Sequence, residues 1–304
     1  MRIFITGATG VVGRRVIPSL LAAGHYVTAV VRSAEKRRRL GDLGVNPIDV
    51  DLFDGPMVRR AVTGHETVIN LATRIPKSLR AFLPGVWREN SRIRRVASAN
   101  LAAAAVAAGV QRFIQESFAL IYRDGGDKWL DERAPVKTAR YNAAVLNAEA
   151  AAARVAQGGR IGVVLRFGLF YGADSGYTRD MIKYVRKGWA PAFGSPAGFV
   201  SSISHDDAAS AVIAALGATT GVYNIVDDEP VRRREYYDSL AAALRVAPPR
   251  FPPAWLARVF GSIGETLARS QRIANGKFKR ETGWRPSIPS VPDGWPRLLE
   301  ELES

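Results

Sequence analysis

Short apolar runs alternate with longer stretches whose apolar residues recur at helical spacing through the first 172 positions of the chain. Ile3–Thr6, Tyr26–Val31, Pro47–Val50, Thr67–Leu71, Arg112–Glu116 and Gly162–Leu165 read as strands. Between them, Val12–Ala23, Glu89–Ala108 and Arg140–Ala156 read as helices. This alternation predicts an α/β fold, a Rossmann-type doubly wound parallel sheet built from right-handed βαβ units. The unbroken apolar character of Tyr26–Val31 suits a strand covered on both faces. After Gly172 the rhythm breaks. Gly188, Pro191, Gly194, Pro196 and Gly198 crowd together, and prolines punctuate the tail from Pro286 to Pro296. The pattern divides the chain into a sheet-bearing domain at 1–172 and a smaller lobe at 173–304, some of whose segments can return to the first.

Composition narrows the picture. A 304-residue chain with 47% hydrophobic and 23% charged residues is globular rather than disordered. No apolar stretch approaches the roughly 18 residues of a membrane span. Met1–Thr6 runs straight into a glycine-rich turn, which reads as a strand and not as a signal peptide. With no cysteine there is no thiolate metal site and no thiol nucleophile, and a cytoplasmic protein without metal is expected. The formal net charge of +15 comes mainly from 35 arginines against 8 lysines, densest at Lys36–Arg39 and Arg232–Arg234. The cations are scattered and no nucleic-acid module accompanies them, which argues against nucleic acid as the main partner.

The strongest motif is Thr6-Gly7-Ala8-Thr9-Gly10-Val11-Val12-Gly13, between the first strand and the first helix. Gly7 serves a tight turn, Gly10 lets the backbone approach a pyrophosphate, and Gly13 allows close helix–sheet packing. The helix N-terminus then holds the anion with free N–H groups and its dipole. The second strand ends in Arg32-Ser33 where an NAD site commonly offers a carboxylate to the ribose. A guanidinium there suits a 2′-phosphate, so NADP(H) is favoured over NAD(H). Asp51 and Leu52 are expected at the adenine, and Leu71, Ala72 and Thr73 along the cofactor.

These motifs, with Asn70–Ala72, Arg112–Ser117, Arg166–Gly172, His205–Ala209, Gly221–Asn224 and Gly283–Pro286, resemble the extended short-chain dehydrogenase/reductase family over nearly the whole chain. Arg32-Ser33 and the tail look most like its atypical, epimerase-like branch. The resemblance implies that Phe167, Gly168 and Leu169 lie at the cofactor. It also implies a substrate hydroxyl ligand and a Tyr-x-x-x-Lys pair. Here Tyr141 stands in place, Val145 occupies the lysine position, and Phe118 falls where the hydroxyl belongs, with Ser117 one position early. Glu116, at a strand's C-terminal end, joins Ser117 and Tyr141 as a candidate catalytic group. Phe118, Tyr122, Phe170, Tyr171 and His205 are candidates for the substrate pocket, although His205 also reads as a cap for a helix near Asp207. His25 and His65 fall at turns and are expected at the surface.

A phenol without a neighbouring ammonium is a poor base and a usable acid. The expected function is therefore an NAD(P)(H)-dependent oxidoreductase reducing a small apolar or aromatic carbonyl or enone. A nucleotide-sugar epimerase or dehydratase, and a non-catalytic dinucleotide-binding sensor or scaffold, are the alternatives. A small-molecule substrate is the expected partner, and the family resemblance allows a homodimer.

Overall fold

The computed structural model describes residues 1–76, 78–83 and 85–303. Among them, seven strands form one parallel sheet. In chain order these are β1 (Arg2–Thr6), β2 (Tyr26–Val30), β3 (Asn46–Ile48), β4 (Thr67–Asn70), β5 (Arg112–Phe118), β6 (Ile161–Phe167) and, beyond further short strands, the edge strand Gly221–Ile225. Of the short strands between, β7 (Leu169–Tyr171) and β8 (Ser202–Ser204) pair with each other, and the edge strand is labelled β9. The spatial order is β9-β6-β5-β4-β1-β2-β3. It reverses at β1, where β1 pairs with β4 on one side and β2 on the other. Open sheets bind ligands at such a switch point, beyond the C-terminal ends of the strands.

The helices of the first part are α1 (Gly13–Ala22), α2 (Ala34–Asp42), α3 (Gly55–Val62), α4 (Arg88–Arg92), α5 (Ser98–Ala107) and α6 (Val145–Ala156). Later come α7 (Gly176–Arg186), α8 (His205–Ala214), α9 (Arg233–Ala243), α10 (Leu256–Val259) and α11 (Gly261–Ala268). Alternation along the buried strands feeds two cores. Ile3 and Ile5 pack with Val16, Ile17 and Val212 on one face, while Phe4 packs with Val58, Val68, Leu101 and Phe113 on the other.

Three elements depart from the sequence reading. The stretch expected as one helix over Glu89–Ala108 carries a π-helical turn at Ile93–Ala97, between α4 and α5. The helix expected from Arg140 starts only at Val145. Asn142 competes with the helix by accepting a hydrogen bond from the Ala139 amide at 2.7 Å, so Tyr141 lies in a turn before α6. His65 is buried, its ring bonded to Thr28 Oγ1 at 2.9 Å and the Val62 carbonyl at 3.1 Å.

Past residue 172, α7, α9 and the helix Val291–Glu303 enclose their own core around Tyr171, Tyr236, Leu240 and Trp295. β9 and α8 rejoin the sheet: β9 pairs with β6, and α8 packs on α1. No helix among the described residues is long and apolar enough to cross a membrane.

Candidate active site

The glycine loop after β1 has the shape an anion needs. Gly7 has φ +73°, and a Cβ there would stand 2.4 Å from the Leu71 carbonyl oxygen. A Cβ at Gly13 would stand 2.2 Å from the Gly7 oxygen, so glycine is what lets α1 approach the turn. Gly10 is different. It is exposed, and a Cβ there would meet only the Gly7 oxygen, at 3.2 Å. Its open side, at the mouth of α1, fits a dinucleotide pyrophosphate. Thr9 and Val11 are partly buried beside it, and Val12 is the α1 N-cap.

Residues from beyond 172 brace this loop. Arg15 donates to the Val11 carbonyl at 2.9 Å and pairs with Asp174 at 2.7 Å, while Arg14 also pairs with Asp174. Arg15 reaches Asp206 on α8 as well. His205 does not cap α8; Ser204 does, by accepting from the Asp207 amide at 3.0 Å. The His205 ring is buried with Nδ1 2.7 Å from Asp174. Burial first, and then Arg15, pull its pKa down to about 4, so it is neutral.

At the end of β2 Arg32 is exposed, and Ser33 caps α2 by accepting from the Lys36 amide. Asp51 is exposed and accepts from the Phe53 amide at 2.9 Å, turning the chain after β3. Leu52 is partly buried. Leu71 is buried, and Ala72 and Thr73 are partly exposed along the edge of β4. Phe167 and Gly168 are buried; a Cβ at Gly168 would lie 2.8 Å from the Ser201 carbonyl. Leu169 and Phe170 are partly exposed, with Phe170 against Phe167 and His205.

At the C-terminal end of β5 two buried ion pairs stand side by side. Arg94, from the π-helical turn, donates through Nη2 to both Glu116 oxygens at 2.7 and 2.9 Å. Burial raises the Glu116 pKa, and Arg94 opposes the rise. Ser117 is fully buried and donates to Glu149 Oε1 at 2.6 Å. Glu149 is also held by Arg166 at 2.7 and 2.8 Å, and Arg166 donates to the Tyr122 hydroxyl, which donates to Asn224. Ser117 faces this network, while its neighbour Glu116 points to the opposite face of β5, as successive strand residues do. Tyr122 is likewise a fully buried network member and not a pocket wall. Tyr171 is also interior, packed against Trp295 in the core beyond residue 172, with its pKa raised by burial. Phe118, at the end of β5, remains partly exposed.

Tyr141 packs against Trp87 with ring centroids 4.8 Å apart and the ring planes tilted by 58°. Burial raises its phenol to about 12, against the lowering pull of hydrogen bonding to Thr266 on α11, the charge of Arg269, Asn142 and the charge of Arg94. Arg269 is itself fixed by the Tyr122 and Lys137 carbonyls, at 3.0 and 2.7 Å. Val145 is buried at the start of α6. Phe82, Phe193 and Phe260 form a further cluster with centroids 4.9–5.7 Å apart. Sequence reading missed Arg94, Glu149, Arg166, Thr266 and Arg269. Among 35 arginines, nothing local marks the buried ones. No cluster of potential metal ligands occurs among the described residues.

Residues 7–219 match a family described as NAD(P)H-binding. The chain is 34% identical over 305 residues to a 3-diazoavenalumate denitrifying reductase from a Streptomyces species, covering 97% of this chain and 99% of that one. It is 27% identical over 282 residues to a 4-hydroxy-2-methyl-3-oxo-4-farnesyl-3,4-dihydroquinoline-1-oxide ketoreductase from Stigmatella aurantiaca, covering 89% and 81%. A crystal structure of a human epimerase family protein with NADPH superposes with TM-score 0.83 at 23% identity, over 99% of this chain and 100% of that one. The UDP-glucose 4-epimerase of Thermotoga maritima gives 0.80 at 20% identity, over 100% and 99%. The chain belongs to the NAD(P)H-binding, atypical epimerase-like short-chain dehydrogenase/reductases. Within that class it is an NAD(P)-dependent oxidoreductase of the reductase type.

Proposed function

We propose that the protein reduces a small apolar or aromatic carbonyl or enone with NADPH, using Tyr141 as a neutral proton donor. The observation that carries this reading is the partly buried Tyr141 side chain, packed against Trp87, whose phenol is pushed up to about 12 by loss of solvent. Bound NADPH would supply hydride. Gly7, Thr9, Gly10, Val11, Val12 and Gly13 would hold its pyrophosphate, and the exposed Arg32 would meet a 2′-phosphate. Asp51, Leu52, Leu71, Ala72, Thr73 and the Phe167–Leu169 segment would flank the rest of the dinucleotide. A protonated phenol can give a proton to an oxygen that gains charge, which suits reduction. Val145, apolar and buried at the family's lysine position, offers no ammonium to make Tyr141 a base for alcohol oxidation, and this also disfavours the epimerase alternative. Ser117 is left out of the chemistry, since Glu149 already holds its hydroxyl.

A second reading follows from the Streptomyces relative. A diazonium carbon that accepts hydride releases dinitrogen and needs no proton from the protein. Such a reaction would leave Tyr141 to position the substrate only.

The test is to follow NADPH oxidation with a panel of aromatic ketones, enones and arenediazonium compounds, in wild type and Tyr141→Phe. Turnover of carbonyl substrates that falls with the loss of the hydroxyl supports the first reading. Turnover of diazonium substrates alone, unaffected by Tyr141→Phe, supports the second. A protein that binds no dinucleotide sinks both.

A further inference from the structure

Phe82, Phe193 and Phe260 come from three separate segments and meet as one cluster, with ring centroids 4.9–5.7 Å apart. Phe82 ends the short helical turn Ser78–Phe82 in the first part of the chain, while Phe193 and Phe260 belong to the part beyond residue 172. The three rings belong to none of the buried cores and stay partly exposed. Two paths of direct contact join them to Tyr141. Trp87, packed against Tyr141, donates through Nε1 to the carbonyl of Ala81, the residue before Phe82, at 2.8 Å. On the other side α11 begins right after Phe260, and Arg269 at its far end donates at 2.7 Å to the Lys137 carbonyl, just ahead of the turn that carries Tyr141. The eight residues of α11 span about 12 Å. Arg233 ties the Phe193 and Phe260 segments together, donating to the Ser195 carbonyl and to the Leu267 and Arg269 carbonyls at 3.2 and 3.0 Å. Leu83 and Val259, chain neighbours of Phe82 and Phe260, are 53% and 68% exposed, so an apolar rim borders the rings.

We propose that Phe82, Phe193 and Phe260 form a specificity subsite that takes an aromatic ring of the substrate lying beyond its reacting carbonyl. The inference rests on the reductase reading above and specifies its substrate class, a ketone or enone that carries a second aromatic ring. Phe260 meets Phe82 and Phe193 edge to face, at 63° and 67°, so the cluster presents both ring faces and ring edges to a further ring. Such pairing favours an aromatic ring over an aliphatic one of the same bulk by about two- to tenfold in affinity. A ring seated there touches both parts of the chain, while Tyr141 and Trp87 meet the end of the substrate that bears the carbonyl. Rings that merely sealed the two parts together would matter to stability and would not discriminate between ligands.

The test titrates 4-acetylbiphenyl and 4-cyclohexylacetophenone calorimetrically into the NADP⁺-loaded full-length protein, and follows NADPH oxidation with the same two ketones. The biphenyl ketone is expected to bind about two- to tenfold more tightly than its cyclohexyl counterpart. Phe260→Leu and Phe82→Leu, on separate segments, should each bring that ratio close to one, with melting temperatures followed in parallel. Phe260→Tyr keeps the ring and should keep the ratio. Equal binding of the two ketones to wild type, or binding of neither, overturns the proposal. So does a preference that survives both leucine substitutions, which would leave the rings a sealing role only. A biphenyl preference in binding, lost in the leucine variants, with neither ketone consuming NADPH would instead overturn the reductase reading and leave the aromatic subsite in place.

Discussion

Ser117 and Glu149 are joined by a 2.6 Å hydrogen bond that holds the serine hydroxyl in the protein's interior. The bond fixes the side of β5 on which the hydroxyl lies. It also joins α6 to the sheet, because Glu149 sits on α6 and is gripped by Arg166 of β6. Ser117→Ala should therefore behave as a stability variant. Losing one hydrogen bond to a buried charged group costs about 1.5–3 kcal/mol. Turnover by the folded protein should stay within about an order of magnitude of wild type, whereas removing a group that donates a proton costs about 10²–10⁴. Denaturant melts and steady-state rates on the same preparation distinguish the two roles.

The glycine loop makes two opposite predictions. Gly10→Val should keep the fold and abolish dinucleotide binding, since its Cβ meets only one backbone oxygen while its side chain would stand where a pyrophosphate fits. Gly7→Ala should destabilise the protein itself. It needs φ +73° and drives a methyl group to 2.4 Å from Leu71 O. Calorimetric unfolding alongside cofactor titration would show the contrast, and Gly10→Val binding at wild-type strength would misplace the phosphate site.

Arg32 should set the cofactor preference. An exposed guanidinium at the end of β2 gains its advantage only from a 2′-phosphate. Arg32→Ala should weaken NADPH roughly ten- to hundredfold and leave NADH nearly unchanged. Equal wild-type affinities for the two cofactors would remove the basis for this assignment.

Tyr141 should show no basic limb within the ordinary working range. Its pKa is pushed up to about 12, so the acid form persists and reductive rates should be flat from about pH 6 to 10. Tyr141→Phe should cost about 10²–10⁴ with a carbonyl substrate. A fall in rate near pH 9 that disappears in Tyr141→Phe would mean that the phenol ionises far below this expectation.

Two buried groups should shape stability in opposite pH windows. Asp227 is buried with Oδ1 unpaired among the described residues, and burial raises its pKa well above the usual carboxylate range. The folded state therefore holds a proton that the unfolded state releases above about pH 4. That stabilising contribution is complete at lower pH and fades as pH rises toward the folded pKa. Asp227→Asn should thus gain on wild type as pH rises above about 4. His205, lowered to about 4, works the other way: its contribution is present above about 6.5 and is lost as pH falls through 4. His205→Gln should flatten the acid side of the stability profile, and melts across the pH range test both signs.

The sheet, the first helix and the glycine loop were legible because each is written locally. Apolar runs mark the strands, and glycine is required by the close contacts at Gly7 and Gly13. The site around Tyr141 was legible only in part. Tyr141 and Glu116 could be picked out by position, but their partners come from distant segments: Arg94 lies 22 residues before Glu116, and Arg269 contacts a loop 132 residues away. Such pairings leave no periodic trace. The helix start was misjudged for a local reason that propensity conceals, the Asn142 side chain closing a turn on the Ala139 amide.

The π-helical turn at Ile93–Ala97 makes the Arg94–Glu116 pair dependent on chain length at one spot. Such a turn arises when a helix accommodates one extra residue, and each residue accounts for about 100° of rotation around a helix axis. Deleting a single residue between 95 and 97 would let the helix close as an ordinary α-helix and swing the residues before the deletion, Arg94 among them, by about that angle relative to α5. The guanidinium would leave Glu116 with no change to any side chain in the pair. One codon gained or lost is enough to make or erase this ionic contact, so descendants of the same ancestor can differ there abruptly while their cofactor loops remain alike.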